Sequence, residues 1–272
     1  MVQVSELLEL TRQLRLRVLQ SKASSWTFSP PTERQVPTER QVSTVAKEAL
    51  SSPSGTILPV PTPSSAPEVL QRSDNGKENN ERLIEEVLAC RRCPLGTTRI
   101  NAVPGVGSLT AQVMFIGEGP GFDEDHQGEP FVGKSGQLLD KILEAIGLSR
   151  RTVYIANIVK CHPMKDPTTP EARGNDRPPT LEEAAACREF LDRQIALIGP
   201  KVIVTLGAVA ARVLLSESSI TRVRGQWRSY TPQGGRAVRV LPTFHPAALL
   251  RDPALKRDVW TDMKNLKKEL ES

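Results

Sequence analysis

Two sets of residues in this chain have the types and spacing to do chemistry. The first is thiol: Cys90, Cys93, Cys161 and Cys187 are the four cysteines of the chain, with none left over. Cys90 and Cys93 form a C-x-x-C pair. Four thiolates suit either zinc or an iron–sulfur cluster. Zinc sites usually join two close pairs, and only one pair is close here. The spread leans toward a cluster without deciding it. A secreted disulfide framework would sit in a shorter chain behind a signal peptide.

The second set is polar and lies where strand-like runs end. GEGPGFDED (117–125) packs glycines and a proline into a tight turn whose N–H groups can face a ligand. The lysine of a phosphate-binding P-loop is missing from it. Glu118 and Glu124 in this turn either are simply solvated or orient and activate water. Phe131, in GEPFVGKSG (128–136), either plugs core or stacks on a planar ligand. Asn157, in ANIVKCHP (156–163), caps a turn or reads a base edge with one donor and one acceptor. His245, in PTFHPAALLR (242–251), precedes a proline that holds the chain extended. A lone histidine is more often structural, but three separate strand ends each supplying a polar reader argue for a shared site.

The elements that must position these residues alternate. Apolar runs at 111–117, 152–159, 201–207 and 239–245 read as strands buried on both faces of a parallel sheet. Between them, Leu138, Leu139, Ile142, Leu143 and Ile146 line one helical face that ends at Gly147. Thr180 and Glu183 form a capping box that opens a helix through Ile198. Asp252 and Pro253 start a last helix with Leu255, Val259, Met263, Leu266 and Leu270 inward. Residues 81–272 are therefore expected to form one doubly wound α/β domain around a short four-stranded parallel sheet. In such sheets ligands bind beyond the carboxyl ends of the strands, where the polar set lies.

Residues 1–80 differ in composition. Val4, Leu7, Thr11, Leu14 and Val18 suggest an amphipathic helix within 1–20, read as packing loosely on the domain or as an arm for DNA or a partner. The Ser-, Pro- and Thr-rich stretch 21–80, with PTERQV at 31–36 and again at 37–42, reads as disordered linker. A formal charge of +5 is compatible with nucleic acid without proving it. With neither a membrane-length apolar run nor a signal peptide, the protein is expected to be soluble, cytoplasmic and free of the membrane.

Taken together, CRRCPLG (90–96), GEGPGFDEDHQGEPFVGKSGQLLD (117–140), NIVKCHP (157–163), EEAAAC (182–187) and PTFHPAALLR (242–251) resemble the family 4 uracil-DNA glycosylases. These form the iron–sulfur branch of their superfamily. The match runs in order over residues 86–264. The resemblance implies excision of uracil from uracil-containing DNA, leaving an abasic site. It implies a [4Fe–4S] cluster on Cys90, Cys93, Cys161 and Cys187. It also implies a flipped base lying against Gly117 and Gly119, stacked on Phe131, read by Asn157 and held at O2 by His245, with Leu249 wedged into the stack. Gly119 stands where the better-known branch carries an aspartate, so Glu118 and Glu124 both remain candidates for handling water.

One departure is the lengthened loop MKDPTTPEARGNDRPP (164–179). A related group traps uracil-DNA covalently through a histidine in this region, and this insert contains none, which favours turnover. Lys165, Arg173 and Arg177 in it either touch phosphate or are merely solvated. Rival readings are a non-catalytic or covalently trapping uracil-DNA-binding protein, or a glycosylase with wider deaminated-base specificity. A monomer is expected, with a replication or repair protein as the partner considered for the N-terminal extension.

Overall fold

The computed structural model describes residues 68–272. The helix read within 1–20 and most of the 21–80 linker lie outside the described residues. The described chain opens with helix α1 (Glu68–Ala89), so the last part of the stretch read as linker, 68–80, is helical instead. Polar residues dominate its first half, and a polar helix gives little sequence signal.

A short helix α2 (Leu95–Thr98) follows, then strands β1 (Val106–Gly107) and β2 (Val113–Gly117). Helices α3 (Phe122–Gln127) and α4 (Lys134–Ala145) lead to β3 (Tyr154–Asn157) and the long α5 (Leu181–Ile198). Next come β4 (Val202–Leu206), α6 (Ala208–Leu215), α7 (Ile220–Val223), β5 (Arg228–Tyr230) and β6 (Val238–Thr243). Helix α8 (Pro246–Arg251) and a 3-10 turn, Pro253–Leu255, precede α9 (Lys256–Leu270).

The strand order is β1-β3-β2-β4-β6-β5. The four expected strands are the parallel centre of the sheet. Two antiparallel edges, β1 and β5, extend it to six strands. They escaped the sequence because segments of two and three residues are too short to show alternation.

Side chains divide by the period of two. Met114 and Ile116 face a layer built from α1, α5 and α6, whereas Val113 and Phe115 face one built from α4, α8 and α9. Every residue of β2 and β4 is buried, which is why both read as unbroken apolar runs. The Thr180–Glu183 capping box opens α5. Asp252 and Pro253 open the 3-10 turn, not the last helix itself, which starts at Lys256. Within α9, Val259, Met263 and Leu266 are buried and Leu270 partly so, with Leu255 of the turn partly buried beside them. The chain leaves β2 for β3 on one side and then returns to β4 on the other. The resulting switch point opens a crevice at the carboxyl ends of these strands.

Candidate active site

At that crevice lies a cleft of about 720 Å³, within the range of sites that take a ligand rather than a water. It is bordered by Glu118 and Gly119 after β2, Phe131 before α4, Asn157 at the end of β3, Gly207 after β4 and His245 after β6. Residues far apart in sequence meet because parallel strands deliver all their carboxyl ends to one edge.

Gly117 makes the floor possible. A Cβ there would stand 2.4 Å from Asn157 Oδ1 and 2.5 Å from the Phe131 ring, so any larger residue would displace both. Asn157 is 1% exposed, and its Oδ1 has no hydrogen-bond partner. A buried acceptor left open is costly unless a ligand completes it.

Phe131 has φ 56, a left-handed conformation that a bulky side chain adopts only when its surroundings impose it. Arg150 imposes it by donating to the carbonyls of Pro130 and Phe131 while its Nε holds Asp140 Oδ1 at 2.6 Å. Gly136 permits it, since a Cβ there would fall 1.6 Å from the Phe131 oxygen. Neither support was read from the sequence, where Arg150 is one more surface arginine.

His245 caps α8. Its Nδ1 accepts from the Ala247 N–H at 3.1 Å, which leaves the ring hydrogen on Nε2. Burial, with Arg251 nearby, pulls its pKa down to about 4, so the ring is neutral near pH 7. The Phe131 and His245 ring centroids are 5.5 Å apart. Gly207, at φ 91, allows the approach of β4 to β6 here, because a Cβ would sit 2.9 Å from His245 Cβ.

The two carboxylates part company. Glu124 Oε1 accepts from the Val132 and Gly133 N–H groups at 2.9 and 3.1 Å, and Oε2 from Gly121 N–H at 3.2 Å. It is a clamp that shapes the loop around Phe131. Glu118 is half-buried, and its side chain makes no hydrogen bond among the described residues. Burial raises its pKa above the ordinary 4.5, opposed by the Arg212 cation.

Leu249, expected as the wedge, is 2% exposed and packs in the α4–α8–α9 layer, so it presents no surface to a partner in this structure. Its neighbour Leu250 is 48% exposed. On a six-residue helix, one step of about 100° decides which leucine faces out. Of the remaining histidines, His162 is wholly buried. Although burial opposes it, contact with the Asp125 and Asp176 carboxylates lifts its pKa to about 9. It joins loop to loop and does not border the cleft.

Cys90, Cys93, Cys161 and Cys187 border a second, smaller cavity, with Arg99 and Lys160 on its wall. Among the described residues, no three Cys, His, Asp or Glu are grouped as a single-ion site. Arg99 Nη1 donates to Cys161 Sγ at 2.9 Å, and the same guanidinium holds the carbonyls of Val87, Leu88 and Cys90. Burial pushes the Cys161 thiol up to about 11 against the pull of Arg99, and raises Cys187 as well. Lys160 is 1% exposed. Its Nζ donates to the Asn157 carbonyl at 2.9 Å and to Gln194 Oε1 at 2.6 Å, tying the end of β3 to α5. A lysine inside an apolar run was the only signal of this strut.

The sequence model of the Uracil DNA glycosylase superfamily matches residues 104–264. A type-4 uracil-DNA glycosylase of Archaeoglobus fulgidus is 41% identical over 194 residues, covering 70% of this chain and 92% of that protein. One from Thermotoga maritima is 44% identical over 195 residues, covering 70% of this chain and 94% of that protein. A type-5 uracil-DNA glycosylase of Pyrobaculum aerophilum is 31% identical over 162 residues, covering 54% of this chain and 66% of that one. The chain belongs to the uracil-DNA glycosylase superfamily, in its type-4 branch.

Proposed function

We propose that the protein flips uracil out of DNA into the strand-end cleft and hydrolyses its N-glycosidic bond, leaving an abasic site. The observation that carries this reading is the pairing of an open, buried Asn157 acceptor with a neutral His245 whose Nε2 bears the hydrogen. Uracil offers N3–H to Asn157 Oδ1 and takes a hydrogen at O4 from the amide. Cytosine presents the reverse pattern, leaving buried polar groups unmatched. Phe131 stacks on the base.

As the C1′–N1 bond breaks, its electron pair moves onto uracil, and the His245 Nε2–H stabilises the charge gathering at O2. Water adds to C1′, and its proton passes to Glu118, whose carboxylate also steadies the positive sugar. The test is alkali cleavage of a uracil oligonucleotide after treatment, beside thymine, cytosine and hypoxanthine strands. Intact uracil strands would end the proposal, while cleavage at hypoxanthine would favour the wider-specificity rival. A denaturant-stable protein–DNA adduct would favour covalent trapping. The burial of His162 speaks against that outcome.

Leu250 takes the wedge role in this reading. Leu250→Ala should slow excision from double-stranded DNA more than from single strands, because unstacking costs a few kcal/mol only in the duplex. Equal loss on both, or no loss, would remove the wedge from this position.

The same proposal gives Cys90, Cys93, Cys161 and Cys187 a [4Fe–4S] cluster. Their convergence on one cavity that is also walled by the cationic side chains of Arg92, Arg99 and Lys160 suits a group of net negative charge held by four thiolates. Bound there, the group would cross-link the end of α1, the segment after β3, and α5, contributing folding energy. Purified protein should be brown. Cys187→Ala should lose iron and melt at least about 5 °C lower, the shift that roughly 2 kcal/mol produces in a domain of this size. Colourless protein with stoichiometric zinc would refute the assignment.

A further inference from the structure

The loop 164–179 between β3 and α5 is internally fastened. Met164 bridges Asp176, Lys165 N–H donates to the Asn175 carbonyl at 2.8 Å, and Arg177 N–H donates to that of Pro163 at 3.0 Å. Asn175, 7% exposed, staples the turn. Its Oδ1 accepts from Asp166 N–H at 2.8 Å, and its Nδ2 donates to the carbonyls of Asp166 and Thr169 at 2.7 and 3.1 Å. The loop is also latched to α3, where Glu171 meets His126 Nε2 at 2.8 Å.

Its three long cations are used differently. Arg177 is taken up by both Glu183 oxygens, at 2.8 and 2.7 Å, and by the Met164 carbonyl at 2.8 Å. Lys165 folds back to the Gly174 carbonyl at 3.2 Å and does not border the cleft. Arg173 does border it. Its guanidinium lies 4.3 Å over the Phe122 ring, and Nη1 is 3.0 Å from Asp123 Oδ1, yet the side chain is 72% exposed. Phe122 is itself backed by the His126 ring at 4.1 Å.

A solvent-facing arginine resting over an aromatic ring and paired with a carboxylate has part of its freedom already restricted, which lowers what binding must still remove. One nitrogen is engaged by Asp123, and the side chain is exposed enough for the rest of the fork to reach a further acceptor. A strand delivering one nucleotide into this cleft must carry its neighbouring phosphates across the rim. We propose that Arg173, seated on Phe122, contacts a phosphate adjoining the extruded uridine, with Asp123 as the group that phosphate displaces. This rests on the uracil-DNA reading above and adds to it the residue that receives the backbone.

The test is single-turnover excision of a single-stranded uracil oligonucleotide, titrated with enzyme at several salt concentrations. Arg173→Ala should raise the half-saturating enzyme concentration roughly five- to tenfold at low salt and reduce the salt slope by about one ion. Asp123→Asn should move affinity the other way. Lys165→Ala removes the same charge from the same loop and should keep the parental slope. If Arg173→Ala retains that slope, or Lys165→Ala loses as much, the phosphate contact is wrong. Parent protein that leaves uracil DNA intact would instead sink the glycosylase reading itself. Parent that cleaves while Arg173→Ala titrates like it would sink only this inference.

Discussion

Replacing Glu118 by glutamine should slow the saturating single-turnover excision of uracil by about 10²–10⁴-fold, the range for removing a positioned general base. Glutamine keeps the volume and removes the charge and the proton acceptor. The structure supports Glu118 over Glu124 because of how their oxygens are used. Glu124 has both oxygens committed to backbone N–H groups, whereas Glu118 has neither hydrogen-bonded and lines the cleft. Glu124→Gln should therefore act first on the loop that holds Phe131, costing about 1–3 kcal/mol of stability for a group left poorly matched.

The pH profile adds a separate check. Burial lifts the Glu118 pKa above 4.5, so the carboxylate protonates, and the base is lost, as pH falls through that raised value. The acid limb of the parental rate should lie above the ordinary carboxylate range and vanish in Glu118→Gln. A variant that keeps both the parental rate and the limb would transfer the role to another group.

His245→Ala should lower the saturating rate by roughly 10²–10³, the scale for deleting one donor from a site that stabilises a developing anion. The donor is preset: the Ala247 N–H occupies Nδ1, and burial keeps the ring neutral down to about pH 4. The sign follows directly. A histidine whose pKa is depressed stays unprotonated as pH falls through 6.5, so no change of rate near that value should come from His245. If His245→Ala leaves the saturating rate intact and only raises the half-saturating enzyme concentration, the residue holds DNA or α8 and does not assist the leaving group. Proline at the first position of α8 fixes the turn that aims the ring, so the effect should be read beside the melting temperature.

Local chemistry was legible in the sequence wherever it depends on neighbours in the chain. The capping box at Thr180 and Glu183 and the buried runs of β2 and β4 were readable because each is set by a few adjacent residues. The strand-end positions of Glu118, Asn157 and His245 were readable for a related reason. Parallel strands separated by helices send all their carboxyl ends to one edge. The four cysteines could be grouped by type, although their common cavity could not be seen.

Tertiary structure decided the rest, because burial and direction depend on what a distant segment brings. Glu118 and Glu124 lie in one Gly-rich stretch of the sequence, but the fold puts Glu124 in α3, where the N–H groups of Gly121, Val132 and Gly133 occupy its oxygens, and leaves Glu118 facing the cleft. Leu249 and Leu250 are the same residue type, and only the packing of α8 turns the first inward and leaves the second exposed. The strained Phe131 depends on Arg150 and Gly136, and the Asn157 strand end depends on Lys160 reaching Gln194. These supports join residues through space, where hydrogen-bond geometry and excluded volume act and sequence periodicity carries no information.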